Sequence, residues 1–249
     1  MKRYFIIIVI SLLPLVGVKA QPSVGKFMLA YGPQYHFVTA SYPQTYGFTD
    51  ILGYQQYGTG TGSKTSNSLS GYLAISGSLF NTGESAFFFG DYFGCSMGIG
   101  ATFHNYEFKG NQTKERSTFG HLGFLGGLQM GYQAADDIDF GIRCFYDFRW
   151  MMFYVGEDEV TNISPFTLNW AAVGRYKKIQ GDVTLGGFSG YVNSQRHLKT
   201  YTLNLRYLYD KDEENYIGTR IDLYRNLSDG PDGRDITVLG IGVMLGHLF

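Results

Sequence analysis

The residues with most chemistry to offer are His104 and His121, with Glu107 and Glu115 between them. Two imidazoles and two carboxylates could ligate a metal or share acid and base work. A speculative rim site at His104 and His121, on adjacent strands, is therefore carried forward, with His36 and His197 near the same rim. No serine stands at a trusted nucleophile spacing from a histidine, and the many Gly-x-Gly pairs precede no helix, so neither covalent catalysis nor phosphate cradling is indicated. No cofactor is expected.

A second group is ionic. Asp139, Arg143, Asp147, Arg149, Arg175, Lys177, Asp182, Arg206, Arg220 and Asp222 mix both signs and sit opposite apolar rows in alternating segments. On an extended chain, residues two apart share a face. Charges gathered on one enclosed face must pair or hydrate, which predicts a salt-bridge network; a path for small solutes is the alternative.

The chain that must hold these groups has 249 residues, with 34 Gly, 17% aromatic and 16% charged residues. About 25% charge is usual, and a chain this aromatic and this weakly charged is not disordered. The net charge of −1 supplies no field for nucleic acid, which is excluded as a partner. Lys2 and Arg3, then an apolar run from Tyr4 to Val18 broken by Pro14, then Val18-Lys19-Ala20, read as a signal peptide over 1–20 cleaved between Ala20 and Gln21. Residues 21–249 form one domain. No later run could make an apolar spanning helix of about 20 residues, so any membrane crossing uses strands.

Period-two alternation predicts ten strands near 24–37, 67–80, 86–106, 117–134, 138–154, 166–177, 182–192, 198–210, 216–227 and 235–249. Tyr201, Leu203, Leu205 and Tyr207 share one face of the eighth, and Thr202, Asn204 and Arg206 the other. In the fifth, Phe145 alone breaks the polar row. Alternate connections are short, whereas 38–66, 107–116 and 155–165 are longer, as the outer loops of membrane barrels are. A hairpin at 46–57 would raise the strand count to twelve, and loss of 182–192 with a neighbour would lower it to eight. Long apolar rows, aromatics at strand ends and a terminal Phe249 favour lipid outside and charge within over a soluble barrel.

Glycines at 90, 94, 98, 100, 123, 127 and 131 on the inner rows make room either for bulky side chains or for a ligand cleft, and packing is the expectation. Asp91 interrupts an outer row, either through a bulge at Gly90 or as an interfacial residue. Cys95 and Cys144 fall on outer rows two strands apart, roughly 9.5 Å, beyond disulfide reach.

A signal peptide, amphipathic strands and a last strand closing on phenylalanine resemble the small outer-membrane β-barrels of Gram-negative bacteria. That resemblance implies an all-β fold, a single antiparallel up-and-down transmembrane β-barrel of about ten strands, in the outer membrane. Leu239, Ile241, Val243, Leu245 and Phe249 are similar to the signal read by the barrel-assembly machinery, although His247 departs from the usual apolar residue. A strand, acidic turn and strand within 174–224, Leu205-Arg206-Tyr207 through Tyr216-Ile217-Gly218, is similar to YaiO-type barrels. Implied partners are outer-membrane lipid, the assembly machinery and an envelope protein. The expected role is a lumen-filled barrel in structure, surface interaction or an envelope assembly; the alternatives are a narrow porin-like channel and a hydrolase using the rim histidines.

Overall fold

The computed structural model describes residues 26–80, 86–108, 111–154, 160–163, 166–189, 196–228 and 235–249. Its strands are β1 (Met28–Thr49), β2 (Gln55–Gly77), β3 (Phe87–Phe108), β4 (Asn111–Ala135), β5 (Ile138–Tyr154), β6 (Val160–Ile163), β7 (Phe166–Tyr176), β8 (Ile179–Ser189), β9 (Arg196–Leu208), β10 (Asn215–Ser228) and β11 (Asp235–Leu248). All pairings are antiparallel. β1 meets β11, which closes a ring of ten staves, while the four-residue β6 only extends the outer end of β5.

The register fixes the shape. Following partners from Gly100 through Ser70, Gln34, Gly242, Arg220, Asn204, Asp182, Val173, Gly141 and Gly131 returns to β3 at Phe88, twelve residues from the start. Ten staves with that stagger lean about 40° from the axis. The even stagger also keeps one face inward all round the ring. Pro33, the one proline expected inside a strand, sits where β1 stays paired with β2 but its pairing with β11 lapses at Gly32 and Pro33. A residue without an N–H is tolerated at such an interruption.

The two outer connections expected at 38–66 and 107–116 are mostly strand. β1 and β2 remain paired up to Thr49↔Gln55, and β3 and β4 up to Phe108↔Asn111. β1 leaves β11 beyond Ser41↔Asp235, β2 leaves β3 beyond Thr65↔Asn105, and β4 leaves β5 beyond Gly120↔Met152. Two hairpin arms therefore rise above the rim. The segment 46–57 forms the end of the first arm and lengthens β1 and β2 without adding a stave. Glycine and polar residues disguise these arms as loops, but a ladder begun in the wall continues at little extra entropic cost.

The first arm ends in a built turn. Asp50 Oδ1 accepts from the amides of Leu52 and Tyr54, both at 2.9 Å, and Gln56 Nε2 donates to Oδ2 at 3.2 Å. Gly53 has φ +83°, which a residue without Cβ adopts freely. At the opposite end, Met28 pairs with Leu248, so the first and last strands begin and finish together. Asp91 also lies there. Its carboxylate accepts from Ser78 Oγ at 2.8 Å and from the Leu79 and Phe80 amides at 3.0 and 2.7 Å. No register shift marks Gly90, so Asp91 is an interfacial tie for the β2–β3 turn and not the product of a bulge.

Outward residues are mostly apolar and inward ones mostly polar, aromatic or glycine, with Leu208, Val238, Met244 and Leu248 among the apolar exceptions. Leu203, Leu205 and Tyr207 are exposed on β9, while Thr202, Asn204 and Arg206 between them are buried. On β5 the outer row runs from Phe140 to Trp150. At a rise of about 3.4 Å per residue and about 40° of tilt this spans roughly 25 Å, the height of a lipid-facing belt. Cys95 and Cys144 are both free thiols on outer rows, with β4 between their strands.

Candidate functional site

The lumen is built in layers. At the short-turn end Ala30, Tyr72, Leu208, Tyr216, Met244 and Leu248 form a buried apolar cluster, and Phe88 packs on Val173. Tyr216 closes the β1–β11 seam from within, its hydroxyl donating to the Leu29 carbonyl at 3.0 Å. Tyr92, Phe145 and Ala171 form the next cluster, with Tyr92 edge-on to Phe145. Phe145, the odd residue of its row, is thus a lumen residue. Sequence reasoning expects polar inner rows and misses this apolar floor. Its signal is present in Leu208, Met244 and Leu248, apolar residues at the near ends of inner rows.

Above the floor the charges pair. Arg206 Nη2 lies 2.6 Å from Asp182 Oδ1, whose other oxygen accepts from Asn204 Nδ2 at 2.6 Å. Arg220 grips Asp222 twice, Nε to Oδ2 at 2.5 Å and Nη2 to Oδ1 at 2.8 Å, and its Nη1 donates to the Tyr72 hydroxyl across the lumen at 3.0 Å. Asp222 also accepts from Gln34 Nε2 at 2.8 Å and Thr202 Oγ1 at 2.7 Å. Arg149 Nε meets Asp147 at 2.7 Å, with its guanidinium 5.1 Å from the Tyr224 ring centre. Arg143 donates to Gln129 at 3.1 Å and lies 4.3 Å over Tyr92. Asp139 is buried on the inner row of β5. Arg143, Arg149, Arg206 and Arg220 thus face the lumen with Asp147, Asp182 and Asp222, and Asp139 stands nearer the turn-side mouth, registered opposite Arg175. Bidentate and multiply bonded pairs of this kind offset much of the cost of taking charge out of water.

Two of the expected lumen charges lie at the turn-side end, away from these three ion pairs. Arg175 is at the turn-side mouth, where it pairs with Glu213 and donates to the Lys177 carbonyl. Lys177 occupies the exposed β7–β8 turn itself, with φ +52°.

The inner glycines receive neighbours' side chains. A Cβ at Gly131 would strike the Phe88 ring, one at Gly127 the Cys144 carbonyl and Phe145, one at Gly246 the Tyr216 ring, and one at Gly98 would meet His121 at 3.6 Å. The bulky groups come from adjacent strands, paired directly as Phe88↔Gly131, Phe145↔Gly127 and Tyr216↔Gly246. Among the described residues a cavity of about 70 Å³ is bordered by Ser96, Arg143, Asp182, Asn204 and Arg206 among others. Ligand pockets run to about 300 Å³ or more.

The rim histidines do not meet. His104 is registered opposite Glu115, while His121 is registered opposite Gly98, six residues along β3, or about 20 Å. His121 is buried within the wall, its Nε2 3.2 Å from Ser96 Oγ and its ring stacked on Tyr72 at 6.0 Å. The expected adjacency is corrected by the register of the β3–β4 hairpin: His104, still paired with Ser66 of β2, lies six positions beyond the partner of His121. Among the described residues no cluster of three or more His, Cys, Asp or Glu could hold a metal. His197 is the second residue of β9, and His36 is buried on the inner row of β1.

Leu239, Ile241, Val243 and Leu245 form the outer row of β11, followed by exposed Phe249. His247 lies outward beside them, 3.0 Å from Asn215 Oδ1 and edge-on to Phe249. Ala20 and Gln21 lie outside the described residues.

A closed cylinder with apolar residues outside and paired charge within inverts the water-soluble pattern; it defines a membrane-spanning β-barrel. No protein-family model matches the chain, and no curated protein matches it. Among solved structures it is similar to the translocator domain of the autotransporter NalP from Neisseria meningitidis, at 12% identity and TM-score 0.34, covering 100% of this chain and 95% of that one. It is also similar to a TodX deltaS2S3 mutant, a monoaromatic hydrocarbon channel, at 10% identity and TM-score 0.31 over 90% and 91%. A Pseudomonas aeruginosa FadL homologue matches at 9% identity and TM-score 0.33 over 90% of each chain. Similarity at this level supplies no residue correspondence.

Proposed function

We propose that the chain is a sealed outer-membrane anchor that holds two hairpin arms outward for an envelope or surface partner, and is not a conducting pore. The observation supporting this most is the occupied lumen: an apolar floor, three ion pairs and a residual cavity of about 70 Å³. Hydrated solutes need a continuous polar path, and a floor containing Tyr216, Leu208 and Leu248 offers none. The first arm suits display, since its hydrogen-bonded turn fixes Ile51, Leu52 and Tyr54 at 101%, 76% and 66% exposure. Fixed, exposed apolar side chains are what a partner's pocket takes up at low entropic cost. In this reading the leader is cut after Ala20, and the outer row of β11 ending at Phe249 is read by the barrel-assembly machinery. Planar-bilayer recording of the full chain tests the seal. No steady single-channel current is expected; a reproducible unitary conductance would make it a channel.

A further inference from the structure

The central cavity has more polar character than a packing defect. Asn204 Oδ1 and Arg206 Nε are buried, and neither atom has a hydrogen-bond partner among the described residues. Both residues border the cavity. Asn204 Nδ2 and Arg206 Nη2 are both committed to Asp182, so turning either side chain to satisfy the orphan would break an existing bond. One orphan is an acceptor and the other a donor. An anion could serve only the guanidinium N–H, and a cation only the amide oxygen. A molecule that donates and accepts at once serves both.

We propose that this cavity is a water-binding site, in which an ordered cluster donates to Asn204 Oδ1, accepts from Arg206 Nε–H and bonds onward to Ser96 and Thr184 on its border. A buried water makes about three hydrogen bonds and needs about 10–15 Å³, so about 70 Å³ has room for several. The site rests on the sealed-lumen reading, because water in an open lumen would exchange freely and would not be fixed. It adds that the plug is wet at its centre while closed below. Satisfying two buried polar atoms in this way avoids a desolvation cost that unpartnered groups would otherwise carry.

The test is a high-resolution experimental map of the full chain, together with xenon pressurisation. The expected result is discrete water density within about 3 Å of both Asn204 Oδ1 and Arg206 Nε, with no xenon bound, since xenon enters dry apolar cavities. Xenon occupying the cavity, or a map with no density between the two atoms, would overturn the proposal. Bilayer conductance reports on the seal separately, so failure of the water site and failure of the anchor reading are distinguishable.

Discussion

Asp222 concentrates the residue-scale argument. It is 1% exposed, holds both ends of the Arg220 fork and accepts from Gln34 and Thr202. Asp222→Leu leaves Arg220 buried without its ion partner and should cost about 3–5 kcal/mol. Arg220→Met with Asp222→Leu should recover most of that loss, because an apolar pair of similar volume needs no desolvation compensation. Denaturant titration in detergent, read as loss of the heat-modifiable gel band, compares the two; equal destabilisation of single and double variants would refute the pairing account. At the arm tip, the Tyr54 amide, aided by Gln56 and Leu52, holds the Asp50 carboxyl below the usual carboxylate range. A depressed folded value means the turn is favoured above the unfolded carboxylate range and loses that support as pH falls through the lowered value. Amide exchange at Leu52 and Tyr54 should therefore show protection at neutral pH that is lost in strong acid, while Asp50→Ala shows little at either pH.

The elements carry a sharper contrast, in two consecutive glycines of β4. A Cβ at Gly126, on the outer face, meets nothing within 4 Å, whereas one at Gly127 falls on the Cys144 carbonyl and on Phe145. Gly127→Ala should cost about 1–3 kcal/mol through forced backbone displacement, and Gly126→Ala should stay within about 0.5 kcal/mol. Equal effects in the same gel-shift titration would contradict the assigned faces. The alternation that makes this comparison possible was legible from the sequence, since Leu203, Leu205 and Tyr207 against Thr202, Asn204 and Arg206 admit one phase only. The arms were not legible: the pattern that identifies a wall strand is apolar alternation, and a strand that leaves the lipid loses the reason to alternate. The apolar floor was hidden for the opposite reason, because Leu208 and Met244 look like faults in a polar row until closure of the ring brings them together. His104 and His121 were read as neighbours because strand ends alone do not give a hairpin's register, which sets them six positions apart along β3.

At the scale of the whole molecule, the ten-stave count and the twelve-residue stagger set a bore that neighbouring side chains can fill, so the seal follows from geometry as much as from chemistry. Arm tip and wall should then be separable: Ile51→Asn with Leu52→Asn should leave barrel stability within about 0.5 kcal/mol of the parent, since neither residue packs on the wall. A large loss of stability in that variant would mean the tip folds back onto the barrel. The central claim is that lipid contacts the apolar rows while the charged rows face an enclosed axis. Spin labels placed one at a time from 200 to 208 on β9, in lipid bilayers, measure it directly by collision with oxygen and with a water-soluble nickel complex. Oxygen accessibility should peak at 201, 203, 205 and 207 and fall at the positions between; a reversed phase, or nickel accessibility at the odd positions, would contradict the account.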